Sequence, residues 1–385
     1  MKITYITYQT FPASSANSQQ SIGMIKNFVR EGCKLNLIFP ERSNKSSDSL
    51  INLQKFYGFK ENFEIQMLKH NLPFKDYNKK TYFKKFRYIF SHFIWSYNAV
   101  KYAIKTESPE TIYFTRSDWI YFFLALKNRS VILECHQVSK IRKFVIKYTK
   151  NKNNVMLIFT HKLLKNDFKL NKNFEKNTIV LENGFDEDFF DIKTSQKNQT
   201  TETAVFVGNL LRFNQERGAG FLIDDFNDSR LRKYNLVIVG GPEHEKNRLQ
   251  KIIQDKNIKN IEITGKLSRL DSISKILNSK VGILINSSEN RHSTHHTSPL
   301  KYYEYLRSNL NIVGTDFPSH RNLSFGNDIF FYKENDMESF ITSIKSAFDT
   351  ELKTNSDLDN LSINTRAKKI IKFIARPEGV EPPTF

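Results

Sequence analysis

One stretch decides the fold prediction: residues 297–305, which read Thr-Ser-Pro-Leu-Lys-Tyr-Tyr-Glu-Tyr. The apolar run Val281–Ile285 precedes it and the run Leu310–Val313 follows it, so the stretch belongs to a strand–loop–helix–strand unit. Ser298 is a good helix N-cap, and Pro299 suits the first helical position, where its missing N–H costs nothing. The first-turn amides of such a helix point outward at the positive end of the helix dipole. They form an anion site suited to a pyrophosphate.

Glu304 lies a turn and a half into this helix, where a carboxylate can accept hydrogen bonds from ribose hydroxyls. The stretch resembles the donor-site signature of family 4 glycosyltransferases, in the variant Ser-Pro-Leu-Lys-x-x-Glu-Tyr. The resemblance implies that Glu304 binds the ribose of a nucleotide-sugar. It also implies that Ser298, Pro299 and Leu300 receive the diphosphate at the start of the helix. Capping alone would indicate only a stable surface helix.

Both halves of the chain alternate apolar runs with helical segments, the pattern of doubly wound α/β domains with mainly parallel sheets. The predicted strands of the first half are Lys2–Tyr8, Lys34–Phe39, Thr111–Thr115, Ser130–Cys135, Met156–Thr160 and Thr178–Leu181. Those of the second half are Ala204–Gly208, Leu236–Gly240, Ile261–Gly265, Val281–Ile285, Ile312–Thr315 and Ile329–Tyr332. The clearest helices are Ser21–Gly32, Tyr82–Ala103, Glu243–Asp255, Leu270–Leu277 and Met337–Phe348. The polar stretch Asn44–Asp76 is predicted to be irregular.

We predict two Rossmann-like domains, residues 1–192 on the acceptor side and 203–358 on the donor side, facing each other across a cleft. By resemblance this is the GT-B fold. Asn183-Gly184-Phe185-Asp186 closes the first half and is similar to the family's Asn-Gly-x-Asp. Residues 359–375 form a last helix that packs back on the first domain. The tail 376–385 has three prolines, which exclude a helix, and it resembles a translated transfer-RNA gene, so we predict that it is functionally empty.

The composition indicates a folded protein with acidic partners. Hydrophobic residues make up 39% and aromatic residues 13%, which argues against disorder. The formal charge of +19 favours nucleotides, anionic lipids or nucleic acid as partners, although AT-rich coding would also produce this excess of Lys, Asn, Ile and Phe. Cys33 and Cys135 are predicted to be reduced core residues. No signal peptide or apolar run of ~20 residues is present, so we expect a cytoplasmic protein, peripheral at the inner face of a membrane.

The predicted helix Tyr82–Ala103 interleaves aromatic residues with Lys84, Lys85 and Arg87. Such a helix can lie on an anionic membrane. It can equally pack its apolar face on a sheet, or bind single-stranded nucleic acid by stacking. No nucleic-acid-binding module is recognisable, so we expect no nucleic-acid partner.

His136 ends a predicted strand, where it would face the ligand edge of a doubly wound sheet. There an imidazole can hydrogen-bond or polarise a sugar hydroxyl, whereas a histidine bonded within the core is the alternative. Glu134-Cys135-His136 resembles the family's Glu-x-His, which implies that His136 contacts the donor sugar near the reacting centre. The first loop, Phe11–Ser18, is similar to the acceptor-facing loop of some relatives. Ser18 is therefore assigned to the acceptor side.

The pair Gly208-Asn209 and Arg217-Gly218 resembles the family's Gly-Arg…Lys-Gly, whose two cations hold the donor diphosphate. Arg217 matches the second cation and can clamp phosphate with two N–H groups. Asn209 departs from the pattern, and we expect Arg212 to supply the missing charge. A solvated basic loop is the alternative.

Two further turns are predicted to meet the donor. Gly240-Gly241-Pro242 is similar to the family's Gly-x-Gly-Pro, and its glycines are expected to allow a tight backbone turn. Gly241 would let a phosphate or sugar reach backbone amides. Gly265-Lys266-Leu267 resembles the turn whose main chain binds the nucleobase, which places Lys266 and Leu267 at the base.

The largest departure is His296, which stands where many relatives carry the first Glu of Glu-x7-Glu. The same loop holds Glu289, His292 and His295, which could ligate zinc. We expect instead that His295 or His296, together with backbone amides, contacts the hydroxyls of the donor sugar. We expect no metal and no cofactor beyond the nucleotide diphosphate-sugar substrate.

These observations predict a retaining, metal-independent glycosyltransferase of hexosyltransferase type. It would move a sugar to a saccharide or lipid-linked acceptor in surface polysaccharide or lipopolysaccharide assembly. A nucleotide-sugar epimerase of the same fold is one alternative. The other is a non-catalytic basic protein that binds membrane or nucleic acid and whose donor site has decayed, which Asn209 and His296 allow.

Overall fold

The computed structural model describes residues 1–42, 46–72, 82–191, 202–212, 215–352 and 358–376. Residues 192–201, which lie at the predicted boundary between the two domains, and the tail beyond Arg376 lie outside these ranges. The chain divides into two compact units. Unit 1 contains Met1–Thr160, Leu164–Leu181 and the chain from Ala367 onward, and unit 2 contains His161–Leu163 and Glu182–Arg366.

Unit 1 is built on a seven-stranded parallel sheet. Its strands are β1 (Lys2–Ile6), β2 (Lys34–Pro40), β3 (Glu64–Leu68), β4 (Ile112–Thr115), β5 (Val131–Cys135), β6 (Val155–Phe159) and β7 (Thr178–Val180). Their order across the sheet is β3-β2-β1-β4-β5-β6-β7. The inner strands are almost entirely buried, as expected where helices cover both faces of a parallel sheet.

The helices of this half are α1 (Ala16–Arg30), α2 (Leu50–Tyr57), α3 (Tyr82–Thr106), α4 (Asp118–Leu126), α5 (Lys140–Thr149), α6 (Lys162–Asn166) and α7 (Lys172–Glu175). Helix α1 begins five residues before the predicted start, because Ser15 caps it by accepting a hydrogen bond from the Ser18 N–H. The prediction of an irregular stretch before α3 was wrong, since α2 and β3 lie there. No helix in the described ranges is long and apolar enough to cross a membrane.

Unit 2 is built on a six-stranded parallel sheet. Its strands are β8 (Thr203–Val207), β11 (Asn235–Val239), β12 (Ile261–Gly265), β13 (Val281–Leu284), β14 (Asn311–Thr315) and β15 (Ile329–Tyr332). A short antiparallel ribbon, β9 (Leu211–Arg212) with β10 (Gln215–Glu216), follows β8. The sheet order is β12-β11-β8-β13-β14-β15, so the chain reverses direction across the sheet between β8 and β13.

The helices from Asp188 onward are α8 (Asp188–Asp191), α9 (Ala219–Phe226), α10 (Glu243–Asp255), α11 (Arg269–Leu277), α12 (Leu300–Arg307), α13 (Pro318–Arg321), α14 (Met337–Asp349) and α15 (Ile363–Ala375). A π-helical turn, His292–His296, precedes α12. Apolar clusters cover both faces of the sheet, one around Ile238 and Phe340 and the other around Tyr305 and Ile276. The predicted fold class, two doubly wound α/β units, is confirmed.

Candidate functional site

Four neighbouring strands of unit 2 each lead into one of the predicted donor motifs. In sheet order, β12 ends at Gly265, β11 leads into Gly240, β8 into Gly208, and β13 into the loop that begins at Ile285. Because these strands are parallel, the four motifs lie along one carboxyl edge. The chain reversal between β8 and β13 also falls there, which is where doubly wound sheets bind ligands. We call this edge the unit 2 edge.

Backbone contacts hold the motifs of this edge tightly together. The Gly240 N–H donates to the Gly265 carbonyl at 2.9 Å, and the Leu210 N–H donates to the Gly241 carbonyl at 2.8 Å. A Cβ atom on Gly240 would lie 1.8 Å from the Gly208 carbonyl oxygen. This close approach leaves no room for a side chain at residue 240, although Gly240 has no positive φ.

Arg217 lies across the turn after β8. Its backbone N–H donates to the Leu210 carbonyl at 2.9 Å, and its Nη2 reaches the Ile285 carbonyl at 3.5 Å. Its Nη1 is 3.3 Å from the position of a Cβ on Gly208, so a side chain there would crowd the guanidinium. The structure thus brings Arg217 to the chain reversal between β8 and β13. Asn209 beside it is exposed.

Other predicted donor residues are distributed along the same edge. Gly241 is buried, Lys266 is exposed and Leu267 is half-buried. A Cβ on Gly241 would lie 3.6 Å from the Lys266 Cβ, so the two turns are in contact. Arg212 lies in β9, and its side chain is outside what the structure describes.

The Glu304 carboxylate is buried on helix α12, with 2% of the side chain exposed, and two cations hold it. Oε1 lies 2.8 Å from Arg269 Nη2, and Oε2 lies 2.7 Å from Lys301 Nζ. Burial works to raise the pKa of Glu304, but the charges of Arg269 and Lys301 outweigh it and lower that pKa. Glu304 is therefore ionised and accepts hydrogen bonds only. The sequence prediction missed Arg269, although a carboxylate on a buried helix face generally needs a cation.

The start of α12 differs from the prediction by one residue. The N-cap is Pro299 and the first helical residue is Leu300, so Ser298 is not the cap. The Ser298 hydroxyl is committed elsewhere: it accepts from the Asn183 N–H at 3.1 Å and bonds the Tyr303 hydroxyl at 2.6 Å. The N-cap accordingly makes no side-chain hydrogen bond to the first turn. The Ser298 hydroxyl is therefore bonded to Asn183 and Tyr303 and not to an amide of the first turn.

The histidine-rich loop after β13 is a π-helical turn, with His296 buried at 2% exposure. Its Ser293 carbonyl accepts hydrogen bonds from Asn286 Nδ2 at 3.1 Å and from the Ser319 hydroxyl at 2.9 Å. Among the described residues, no group of three His, Cys, Asp or Glu side chains is placed to hold a metal ion. This loop is therefore fixed by hydrogen bonds to β13 and α13.

Two buried histidines support that loop, and the sequence prediction missed both. His320 Nδ1 donates to the Thr315 carbonyl at 2.8 Å, which leaves Nε2 to accept from Asn286 Nδ2 at 3.0 Å. His161 Nδ1 accepts from the Leu163 N–H, and its Nε2 donates to the Ser319 carbonyl at 3.0 Å. Burial lowers the pKa of each to about 4, so both are neutral at pH 7.

In unit 1, the predicted catalytic residue His136 follows β5 at the carboxyl edge of the sheet. Its Nε2 lies 3.4 Å from Oε2 of the fully buried Glu134. Arg116 Nε donates to the same Glu134 oxygen at 2.7 Å, and its Nη1 donates to Asn17 Oδ1 at 2.6 Å. Arg116 thereby links this carboxylate to the first turn of α1. Ser18 on that turn is 2% exposed and bonds the Ser15 hydroxyl.

The same edge of unit 1, which we call the unit 1 edge, carries a second polar cluster that the sequence prediction missed. The Tyr8 hydroxyl bonds Ser91 Oγ at 2.9 Å and His70 Nε2 at 3.1 Å, and these two bond each other at 2.8 Å. The His92 ring stacks on the Tyr8 ring with a centroid distance of 4.4 Å. Burial, reinforced by Arg42, lowers the pKa of His70 to about 4 and that of His92 to about 3. The hydrophobic periodicity of the sequence predicted a helix that contains Ser91 and His92. It could not predict that these residues contact Tyr8 and His70, which follow strands β1 and β3.

The architecture is that of the GT-B class: two parallel α/β units, each with candidate ligand residues at its carboxyl edge. Residues 201–350, which fall within unit 2, match the family model of group 1 glycosyl transferases. The predicted resemblance is confirmed over that segment. No curated protein sequence matches the chain.

Solved structures with the same fold cover almost the whole chain. Sucrose-phosphate synthase from Thermosynechococcus elongatus has a TM-score of 0.68 at 12% identity, over 97% of this chain and 98% of that one. A lipopolysaccharide outer core galactosyltransferase has a TM-score of 0.61 at 13% identity, over 98% and 100%. An alpha,alpha-trehalose-phosphate synthase (UDP-forming) from Burkholderia xenovorans, in complex with glucose-6-phosphate, has a TM-score of 0.63 at 9% identity, over 97% and 99%. At these identities the likeness shows the fold alone.

Proposed function

We propose that the protein is a retaining, metal-independent glycosyltransferase that transfers a hexose from a nucleotide diphosphate-sugar to an acceptor hydroxyl. The observation that carries this proposal is the unit 2 edge. There, four neighbouring strands end in the predicted donor motifs, inside the segment that matches group 1 glycosyl transferases.

The diphosphate would lie between the turn after β8 and the start of α12. Arg217 brings a fixed positive charge there, and the eight-residue helix α12 adds the positive end of its dipole. As the bond to the sugar breaks, negative charge grows on the leaving diphosphate. Preorganised cations and amides stabilise that charge most strongly where water is excluded. In this proposal they take the part that a metal ion plays in other transferases, and no cofactor is needed.

Glu304 would accept hydrogen bonds from the ribose hydroxyls. The lowered pKa keeps it ionised, and Arg269 and Lys301 hold both of its oxygens in place. A carboxylate oxygen has two lone-pair directions, so each can accept from a hydroxyl as well as from its cation. The main chain at Lys266 and Leu267 would bind the base, and amides at Gly241 would reach the phosphate or sugar. His296 would contact the sugar hydroxyls.

His136 is proposed to orient the sugar at the reacting centre, with Glu134 and Arg116 positioning it through the contacts described above. Ser18 would belong to the acceptor side. The acceptor class is a saccharide or a lipid-linked saccharide. One similar structure is named as a lipopolysaccharide outer core galactosyltransferase, which favours surface polysaccharide or lipopolysaccharide assembly as the pathway we propose. Such an enzyme would work in the cytoplasm, in contact with the anionic inner face of the membrane.

The test is a transfer assay in EDTA. Sugars linked to UDP, GDP, ADP and CDP are incubated with oligosaccharide and lipid-linked acceptors, and release of the free nucleoside diphosphate is measured. We expect release that depends on both one donor and one acceptor, with the donor's anomeric configuration kept in the product by NMR. An epimerase would convert the donor sugar without any acceptor and release no diphosphate. That outcome, or no release from any donor by the folded protein, would overturn the proposal.

A further inference from the structure

Seven aromatic side chains form a continuous surface across three neighbouring helices of unit 1. They are Phe93 and Tyr97 on α3, Trp119, Phe122 and Phe123 on α4, and Phe144 and Tyr148 on α5. Ring centroids lie 4.9 Å apart for Phe93–Trp119, 5.5 Å for Tyr97–Phe123 and 5.6 Å for Phe122–Tyr148. We call this set the aromatic surface.

The outer members of the aromatic surface are exposed to a degree unusual for such rings. Tyr148 is 62% exposed, Phe144 is 53% exposed and Tyr97 is 50% exposed. The inner rings pack against the apolar core beneath the three helices, so the surface is anchored and not a set of scattered side chains. Contiguous exposed apolar surface of this kind marks an interaction site in most folded proteins.

Apart from Asp118, the charged residues of these three helices are all basic. Lys140, Lys143 and Lys147 are exposed on α5 beside Phe144 and Tyr148. The three helices contain a single acidic residue, Asp118, and Arg142 Nε binds its carboxylate at 2.6 Å. The exposed rings lie next to lysines that have no acidic neighbours on these helices. Such a combination is complementary to a surface that is apolar inside and anionic outside. An anionic bilayer is such a surface.

We propose that the aromatic surface docks the protein on an anionic bilayer, with the Phe144 and Tyr148 rings at the boundary between headgroups and acyl chains. Lys143 and Lys147 would then meet lipid phosphates. A second copy of the chain fits less well, because a two-fold interface through this surface would set these lysines against their own counterparts. The proposal names the surface for the membrane contact in the proposed function, and it does not depend on sugar transfer. The sequence alone pointed to α3, and the aromatic surface extends from α3 across α4 and α5.

The test is co-sedimentation of the full chain with vesicles of phosphatidylcholine alone and of phosphatidylcholine with one third phosphatidylglycerol. We expect binding to the anionic vesicles only. Lys143→Glu with Lys147→Glu should weaken it at least tenfold, because each basic residue near such a surface contributes roughly fivefold. The matched control is Lys251→Glu with Lys259→Glu, which changes the net charge equally at exposed positions of unit 2. Phe144→Ser with Tyr148→Ser should weaken binding about tenfold. The control for this pair is Ile51→Ser, because the Ile51 side chain lies on α2 and is 75% exposed.

Unfolding curves measured for every variant separate lost binding from lost folding. Equal losses in the two charge-reversal pairs would overturn the proposal, because net charge and not this surface would then drive binding. Failure of the native protein to bind anionic vesicles would also overturn it. So would a change of oligomeric state, without a change in vesicle binding, when Phe144 and Tyr148 are replaced. None of these outcomes depends on whether the transfer assay succeeds.

Discussion

Each carboxyl edge of this protein has a buried ion pair, Glu304 with Arg269 in unit 2 and Glu134 with Arg116 in unit 1, but the interactions around the two pairs differ. At the unit 2 edge, fixed charges and close backbone contacts dominate: Glu304 is held by Arg269 and Lys301, and Gly240 lies directly against the Gly208 carbonyl. At the unit 1 edge, the missed polar cluster consists of neutral rings and hydroxyls, such as Tyr8 with its bonded His70 and Ser91.

Under the proposed function, this difference bears on which part of the substrate each edge would recognise. Permanent charges in a rigid frame suit a group of constant charge and shape, such as a diphosphate with its ribose. Neutral imidazoles and hydroxyls donate and accept in turn, so they suit the hydroxyls of a sugar acceptor, where selection depends on geometry. The predictions below test this contrast, beginning with the change that should have the largest effect.

Gly240→Ala should destabilise the protein most, by about 3 kcal/mol or more, because the added methyl group would overlap the Gly208 carbonyl oxygen. Urea unfolding measures the loss. Gly241→Ala is the matched control, since the nearest atom to its Cβ would be at an ordinary 3.6 Å. Similar stability in the two variants would show that the close approach at this edge is not required.

Glu304→Gln should cost about 3 kcal/mol of unfolding free energy, because it leaves the charges of Arg269 and Lys301 without their buried carboxylate. The control is Glu243→Gln on α10, whose ion pair with Lys246 is solvent-exposed and should contribute little. An equally small effect at Glu304 would contradict the view that fixed charges organise the unit 2 edge.

Acid should weaken the support of the histidine-rich loop. The pKa of His320 is lowered to about 4, so the unfolded chain takes up a proton near pH 6.5 while the folded chain does not. Stability is therefore full above pH 6.5 and falls as the pH drops toward 4, by about 2 kcal/mol between pH 7 and pH 5 for this residue. Urea unfolding is measured at pH 7 and pH 5. In His320→Gln, the loss of unfolding free energy between these two pH values should be smaller by about 2 kcal/mol than in the native protein. An unchanged dependence in His320→Gln would reject this account.

Tyr8→Phe should have the smallest effect, about 1 kcal/mol, because Ser91 and His70 still bond each other at 2.8 Å and the ring still stacks on His92. Thermal unfolding of this variant is compared with that of Tyr97→Phe, whose ring is half exposed. A loss as large as that of Glu304→Gln would mean that the unit 1 edge is as rigidly held as the unit 2 edge.

Local pattern was sufficient for most of the fold. Strands β12 and β15 and helix α10 have the predicted bounds, because each is an apolar run or an amphipathic segment with clear ends. Strand β3 and helix α2 were missed, since β3 is only half-buried and mixes Glu and Gln with its apolar residues. A partly buried strand at the end of a sheet has a weak periodic signal.

The site could be predicted as a set of loops but not as a set of contacts. Strand order across the sheet, which no local pattern contains, places the motifs after β8, β11, β12 and β13 side by side. The Ser298 cap was wrong because Asn183, more than a hundred residues away in sequence, engages that hydroxyl. Arg269 and His320 were missed for the same reason: their partners are set by tertiary packing.

The most direct test of the central claim, that the unit 2 edge binds a nucleoside diphosphate, is calorimetric titration with UDP, GDP, ADP and CDP in EDTA. We expect one of the four to bind the native protein, and Arg217→Ala to weaken that binding about 10- to 100-fold through the lost charged hydrogen bonds. Arg232→Ala is the matched control, because this exposed arginine precedes β11 at the opposite edge of the same sheet. The affinity of this variant for the nucleoside diphosphate should be unchanged. Absence of binding by any of the four to the folded protein, or equal weakening in both variants, would contradict the account.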